Sequence, residues 1–359
     1  MKQCIGIRVD ANEKIGMGHL IRCRTIALEL AECGCRVVFF TAENPSEKML
    51  EQWGLESHLL EKLPFSIDEE LPILRDLLKA EQVGLLLVDS YLATSRYMGL
   101  LSEEVPVFYM DDFGEQVFQV QGIINYNLYA NDLPYAQLYE GVSDKPCFLL
   151  GSAYAPVRRE FSRVTGKYGR SKRIGEANVM ITMGGSDPME ITWNLAKCIY
   201  EKWGTSKAFV LDLVCGPMCA GRKRLEELVE SCNTSDRKGQ IRLHTNVQDM
   251  WNLMADMDMA FCAAGSTMYE LCTVGVPTVT CYYVENQKKA AIAFGDKTAV
   301  FNAGDYREAP SEVIDRMIKQ AEQLLDDEVL CQKTIRSMQE LVDGNGARRI
   351  AEALKDACR

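Results

Sequence analysis

The feature that most constrains this chain is an alternation of apolar, strand-like runs with amphipathic, helix-like runs, which breaks once and then starts again. Apolar strands separated by helical segments imply a parallel sheet, because a parallel neighbour is reached only through a long crossover. In the first half the strand-like runs are residues 4–10, 36–41, 84–89, 105–110, 122–125 and 148–151. Amphipathic segments at 19–33, 45–53, 69–80 and 94–103 fill the gaps. From Arg163 to Glu176 the apolar period disappears, and Lys167, Arg170, Lys172 and Arg173 stand among glycines, the composition of a solvated linker. Strand-like runs resume at 178–183, 208–214, 241–244, 257–262 and 278–283. Helices are expected near 188–202, 219–231, 247–254, 267–274, 309–325 and 329–341, followed by a C-terminal helix.

A chain of 359 residues accommodates two domains of ordinary size. The expected division is an N-terminal Rossmann-like domain over 1–162, a linker over 163–176, a C-terminal Rossmann-like domain over 177–345 and a closing helix over 346–359. Two such α/β halves are expected to face each other across a cleft, with ligands at the carboxyl ends of the strands.

The formal charge of −11, from 40 Lys and Arg against 51 Asp and Glu, argues against a nucleic-acid partner, which needs clustered cations. No apolar run approaches the ~18 residues of a membrane span. Strand-like residues begin where a signal sequence would stand, so the expected compartment is the cytoplasm. Fourteen cysteines include the pairs Cys33/Cys35 and Cys215/Cys219, neither in a two-pair zinc pattern, and they read as reduced thiols. His19, His58 and His244 are the only histidines and none is paired at metal-ligand spacing, so neither a metal nor a cofactor is expected. His58 and His244 have no partner in the sequence and read as ordinary surface or strand-end residues.

Four loops carry the chemistry. Ile15-Gly16-Met17-Gly18-His19, with Arg22 and Cys23, follows the first strand and opens a helix. Its glycines suit a tight turn and close approach to a ligand, and His19 at a helix N-terminus adds an imidazole to an anion-favouring backbone. The competing reading is a capped helix start with a structural histidine. Met183-Gly184-Gly185-Ser186-Asp187-Pro188 ends the first strand of the second half, offering backbone N–H groups, a hydroxyl and a proline suited to a first helical turn. Ala264-Gly265-Ser266-Thr267 opens a further helix and shapes a pocket for phosphate oxygens. Glu270, one turn in, suits a ribose diol, and Thr267-Met268-Tyr269-Glu270 equally fits a capping box. Glu285-Asn286-Gln287, at the end of a strand, brings two amides able to donate and accept around a sugar.

Other polar groups have two readings each. Asp111-Asp112 follows a strand and suits a metal or base role, or helix capping and cleft lining. Arg8 and Asp10 suit a buried ion pair or a substrate contact. Tyr126 and Tyr129, near Asn125 and Asn127, either line a sugar site or pack.

Taken in order, Arg8-x-Asp10, Ile15-Gly-x-Gly-His19, Arg22-Cys23, Asp89-Ser90-Tyr91, Asp111-Asp112, Gly184-Gly185-Ser186-Asp187, Ala264-Gly265-Ser266-Thr267 with Glu270, and Glu285-Asn286-Gln287 resemble a known group. They are similar to the pseudaminic acid pathway hydrolases that act on UDP-2,4-diacetamido-2,4,6-trideoxy-β-L-altropyranose. They equally resemble the glycosyltransferase-like spore coat polysaccharide biosynthesis proteins. The likeness spans residue 4 to about 290 and implies the GT-B architecture. It implies that His19 is the essential histidine, that Tyr91 and Asn286 line the sugar and water site, and that Gly265, Ser266, Thr267 and Glu270 bind UDP. Gly184, Gly185 and Ser186 join the UDP loops, while Gly16, Gly18, Arg22, Asp89 and Gln287 fall on the substrate side. Two departures stand out: Met268-Tyr269 precede Glu270 where many relatives carry a tryptophan, and residues 292–308 match no part of the pattern.

UDP is a good leaving group, so one base is enough if the departing charge is stabilised. The resemblance therefore implies a UDP-sugar hydrolase that cleaves the anomeric C–O bond with inversion, His19 activating water and domain closure completing the site. Two alternatives stay open. One is a glycosyltransferase in which His19 deprotonates an acceptor hydroxyl; the other is an accessory protein that binds a nucleotide sugar without turnover.

Overall fold

The computed structural model describes residues 2–11, 17–42, 44–60, 67–164, 176–216, 219–233 and 238–358. The chain folds as two compact units, Met1–Val157 with Asn345–Arg359, and Arg158–Gly344. Gly16 and residues 165–175 of the expected linker lie outside the described residues.

The first unit runs β1 (Cys4–Val9), α1 (Gly18–Glu32), β2 (Arg36–Thr41), α2 (Asn44–Gln52), β3 (Ser57–Leu59), α3 (Leu71–Ala80), β4 (Leu85–Asp89), α4 (Ser95–Ser102), β5 (Val107–Met110), β6 (Gly122–Asn125), α5 (Tyr135–Leu138) and β7 (Cys147–Leu150). Its seven strands are parallel in the order β3-β2-β1-β4-β5-β6-β7. All six residues of the interior strand β1 are buried, which is why it reads as a nearly continuous apolar run. The exception is Arg8. Its guanidinium donates to Glu70 at 2.7 and 2.8 Å and stands 2.6 Å from Asp10, while the Tyr97 hydroxyl donates to Glu70 at 2.6 Å. Of the two readings of Arg8 and Asp10, the buried ion pair is the one observed. The C-terminal helix Gly346–Ala357 packs on α1, where Lys355 donates to the Cys33 carbonyl at 2.8 Å.

The second unit runs α6 (Arg159–Ser162), β8 (Glu176–Thr182), α7 (Ile191–Trp203), β9 (Ala208–Cys215), α8 (Arg222–Asn233), β10 (Gly239–Thr245), α9 (Met250–Ala255), β11 (Met259–Ala263), α10 (Thr267–Val274), β12 (Thr278–Tyr282), α11 (Glu285–Lys297), β13 (Phe301–Asp305), α12 (Pro310–Asp326) and α13 (Glu328–Leu341). Its six strands are parallel in the order β10-β9-β8-β11-β12-β13. One face of this sheet carries a core that includes Ile181, Leu211, Phe261 and Val279, with α7 and α12 supplying Ile199 and Met317.

Counted within each unit, the strand order is 3-2-1-4-5-6, with a seventh strand added at the far edge in the first unit. The direction of winding reverses beside the first strand, between β1 and β4 in one unit and between β8 and β11 in the other. In doubly wound sheets the loops on the two sides of such a seam generally diverge, and ligands usually sit at the carboxyl ends of the strands there.

Several local expectations change. Gly18 is the first residue of α1 rather than part of a left-handed turn. Helix α7 starts at Ile191, so Pro188 precedes it instead of occupying its first turn. Glu285-Asn286-Gln287 open α11 rather than end a strand, and residues 292–308 supply the rest of α11 and strand β13. Strand β3 was not expected, because Ser-His-Leu is too short and polar to show a period.

Both sheets use the same cross-strand device. Gly122 on β6 lies opposite Phe108 on β5, and Gly239 on β10 lies opposite Phe209 on β9. A Cβ at either glycine would come within 2.2 Å of the facing ring. Gly122→Ala and Gly239→Ala should therefore each lower stability by about 1–3 kcal/mol through overpacking. Thermal melts of the two variants measure this, and an unchanged melting temperature would show that the rings shift freely.

Candidate active site

Residues at the seam of the first unit converge on one buried carboxylate. Asp89 is the last residue of β4, beside Val9 at the end of β1, and its side chain is fully buried. Helix α1 starts where the chain returns from β1 and places His19 and Arg22 on one face at i, i+3. His19 Nδ1 lies 2.6 Å from Asp89 Oδ1. Arg22 donates through Nε to Oδ2 and through Nη2 to Oδ1, both at 2.6 Å, and the Cys23 thiol donates to Oδ2 at 3.3 Å. Burial alone would favour the neutral acid. Arg22 first, and His19 after it, outweigh that effect and hold Asp89 well below the usual carboxylate range.

An ionised Asp89 fixes the imidazole. A carboxylate only accepts, so the proton of neutral His19 sits on Nδ1 and the lone pair is left on Nε2. Arg22 Nη2 also stands 3.1 Å from Nδ1, but guanidinium is a donor and cannot bond a protonated nitrogen. The contact shorter by half an ångström, to the carboxylate, decides the tautomer. Every described hydrogen bond of this ring uses Nδ1. The dyad is thus oriented with Nε2 as the unprotonated nitrogen, and Arg22 compensates the buried charge.

Further polar groups surround Arg22. Its Nη1 donates to both oxygens of Asp112 at 3.1 Å and to the Tyr126 hydroxyl at 3.2 Å. Asp112 also accepts from the Tyr91 hydroxyl at 2.8 Å and from Asn127 Nδ2 at 3.1 Å. Tyr91 stacks edge-on against His19 with centroids 4.5 Å apart, and Phe113 packs on Tyr91 at 5.0 Å. Both rings stay exposed, at 41% for Tyr91 and 37% for Phe113. The ring is exposed, but desolvation at its hydroxyl end, and then the nearby Asp112 carboxylate, push the Tyr91 phenol up, so it remains a neutral donor to Asp112.

The structure separates the two adjacent aspartates. Asp111 accepts from the backbone N–H of Phe113 and Gly114 and from the Tyr135 hydroxyl, holding a turn. Asp112 belongs to the His19 cluster, and neither caps a helix. The sequence signal for Asp112 was its place just past the carboxyl end of β5. Asn127 and Tyr126 were legible only as neighbours of a strand end.

In the second unit the loops after β8 and β11 lie on the two sides of its seam. Gly184 is left-handed, φ +89°, and the Tyr283 hydroxyl donates to the neighbouring Met183 carbonyl at 2.8 Å. Asp187 accepts from the N–H groups of Ile191 and Thr192 at 2.9 Å each, capping α7 from four residues upstream. Gly216 backs onto this loop so closely that a Cβ there would come within 2.4 Å of the Gly185 carbonyl oxygen. Cβ atoms at Gly185 and Gly265 would meet nothing within 4 Å, so a ligand can approach the backbone at both.

The capping box does not form. Ser266 precedes α10 with an exposed side chain that makes no capping bond. Glu270 is instead paired with Arg158, whose Nη2 donates to Oε1 at 3.0 Å and Nε at 3.3 Å. Burial raises the Glu270 carboxyl above its ordinary value, and Arg158 opposes that shift. Arg158 carried no expectation from the sequence, since 112 residues separate it from Glu270. Gln287 turns back to accept from the Tyr283 N–H at 3.3 Å, whereas Asn286 is exposed in the first turn of α11.

Both remaining histidines are partly exposed strand residues, and both have carboxylate partners distant in the sequence. His58 Nε2 lies 2.8 Å from Glu81, and His244 Nε2 lies 2.6 Å from the fully buried Asp212, which also accepts from Arg242 at 2.8 Å. Among the described residues no group of three or more His, Cys, Asp or Glu is placed to hold a metal ion, and no helix is long and apolar enough to cross a membrane.

Comparison with known proteins places the fold. The chain is 25% identical over 361 residues to the spore coat polysaccharide biosynthesis protein SpsG of Bacillus subtilis, covering 98% of each. It is 24% identical over 288 residues to the uncharacterized protein MJ1062 of Methanocaldococcus jannaschii, covering 79% of this chain and 57% of that protein. No protein-family profile matches it. Among solved structures, MurG of Acinetobacter baumannii superposes with a TM-score of 0.72 at 14% identity, over 99% of this chain and all of MurG. A glycosyltransferase of Rickettsia africae gives 0.61 at 12% identity, over 99% of this chain and 98% of that one. MnaA of S. aureus, solved with UDP, gives 0.60 at 14%, over 99% and 96%. The chain therefore has the GT-B fold, two parallel-sheet Rossmann-like domains.

Arg22→Met tests the electrostatics of the cluster. It leaves a fully buried carboxylate without its principal counter-charge and should destabilise the protein by about 3–5 kcal/mol. Urea unfolding measures the loss, and a change under about 1 kcal/mol would show that Asp89 does not depend on Arg22.

Proposed function

We propose that this chain is a UDP-sugar hydrolase that cleaves the anomeric C–O bond of a UDP-linked diacetamido-trideoxy sugar. The products are UDP and free sugar, made in the cytoplasm for a surface polysaccharide or nonulosonic acid. The observation that carries this reading is the His19–Asp89 dyad, with Nδ1 bound to the carboxylate and Nε2 left as acceptor.

The chemistry needs one base and one charge-stabilising pocket. A water oxygen attacks the anomeric carbon and its proton passes to His19 Nε2. The bond from that carbon to the β-phosphate oxygen breaks, and its electron pair leaves on UDP. Attack opposite the leaving group inverts the anomeric centre. No second acid is required, because backbone N–H groups at Gly265–Thr267 and the N-terminus of α10 would stabilise the departing diphosphate, with Gly184, Gly185 and Ser186 as a second backbone loop. Glu270 would accept from the ribose, and Asn286 would position the sugar or the water. Tyr91, its hydroxyl engaged by Asp112, offers an aromatic face beside the base, which suits a sugar bearing methyl and acetamido groups.

Two findings support a nucleotide sugar in polysaccharide synthesis: the full-length similarity to SpsG and the fold shared with a protein solved with UDP. A second reading draws on the likeness to glycosyltransferases. In it His19 deprotonates an acceptor hydroxyl instead of water.

The test is incubation with a panel of UDP-sugars, with and without acceptor sugars, followed by mass spectrometry. UDP and free sugar released without an acceptor is the expected result. Release only with an acceptor would establish transfer, and binding without release would establish an accessory role. His19→Ala should reduce turnover by about 10²–10⁴-fold while UDP affinity stays within about two-fold. A variant with near wild-type turnover would remove His19 as the base.

A further inference from the structure

Arg158 is the one charged group brought to Glu270 from outside its own helix in the described contacts, and the details of the pairing suggest what it does. Both guanidinium contacts go to Oε1, at 3.0 and 3.3 Å, and none of the described hydrogen bonds uses Oε2. The guanidinium is itself held over the Phe161 ring, 4.8 Å from its centroid, at the start of α6, which packs against α10. Both side chains are largely buried, at 24% and 18% exposure, so the pair is shielded from the screening that makes surface ion pairs weak.

A carboxylate reads a vicinal diol by accepting from its hydroxyls, which requires the ionised form and a fixed rotamer. Burial works against the first requirement, and a glutamate on a helix surface has several rotamers. Arg158 works toward both. Its charge opposes the neutralising effect of burial, and its fork holds Oε1 while Oε2 remains an acceptor.

We propose that Arg158 is the positioning residue that makes Glu270 a reader of the ribose diol, so that this site selects ribonucleotides over 2′-deoxynucleotides. The inference rests on the uridine-nucleotide reading above. It assigns Arg158 no contact with the phosphates, and this separates it from a general anion-binding role.

Calorimetry with UDP and with 2′-deoxyuridine diphosphate on the intact protein tests it. Wild type should bind UDP about ten-fold or more tighter than the deoxy analogue, the scale of a hydrogen bond to a charged group. Arg158→Gln should lose most of that ratio through weaker UDP binding, leaving affinity for the deoxy analogue within about two-fold. Arg158→Lys, which keeps the charge but not the fork, should give an intermediate ratio. Melting curves establish that each variant is folded. If Arg158→Gln does not fold, the lysine variant decides: a reduced ratio supports the inference and a wild-type ratio overturns it. Equal weakening of both ligands would overturn it in favour of a phosphate contact. Wild type that binds both nucleotides equally would refute diol reading. Wild type that binds neither would overturn the uridine-nucleotide reading and this inference with it.

Discussion

A carboxylate sealed in the interior must be paired, and Asp89 is paired three times, with His19, Arg22 and the Cys23 thiol. The isolated charge would cost several kcal/mol after relaxation. That cost constrains the surroundings: Arg22 has to come from the helix that follows β1, and β4 has to lie next to β1. The strand order delivers this arrangement, since the winding reverses between those two strands. Asp112 and Tyr126 then complete the coordination of Arg22, and Tyr91 and Asn127 in turn hold Asp112, all from the ends of neighbouring strands. Compensation of the buried charge and orientation of the imidazole ring are the same set of contacts. A bare Asp–His pair would also orient the ring, but it would leave the buried carboxylate charge without a permanent cation.

The parts of the fold that were legible in the sequence are those with one dominant driving force. Strands such as β1, β2, β4 and β9 are buried on both faces and show as apolar runs between amphipathic helices. The two-unit alternation followed from them. Where burial is partial, the signal fades: β3 is three residues at an edge, and β13 reads Phe-Asn-Ala-Gly-Asp. Helix α11 hides because its first turn is Glu-Asn-Gln, residues equally at home in a loop. The C-terminal helix was legible as an element, but that it packs on α1 depends on the tertiary fold.

The candidate sites divide in the same way. His19, Arg22 and Asp89 carried motif-level signals, and the structure brings them within hydrogen-bonding distance. The capping-box pattern at Thr267–Glu270 was misleading, because a cation from far along the chain competes for the glutamate more strongly than a backbone N–H does. His58 and His244 lacked partners for a similar reason: Glu81 and Asp212 meet them only after the sheets assemble. Sequence spacing encodes local partners; it does not encode which strand becomes the neighbour of which.

Buried Asp89 fixes the proton of neutral His19 on Nδ1 and leaves Nε2 bare. Nitrogen-15 NMR of imidazole-labelled protein at mildly alkaline pH reads this directly, and the chain has only three histidines to assign. His58 and His244 present Nε2 to their carboxylates and serve as internal references of the opposite tautomer. A protonated, pyrrole-type Nδ1 and a bare, pyridine-type Nε2 are expected at His19 alone. A proton on Nε2 of His19 would contradict that assignment.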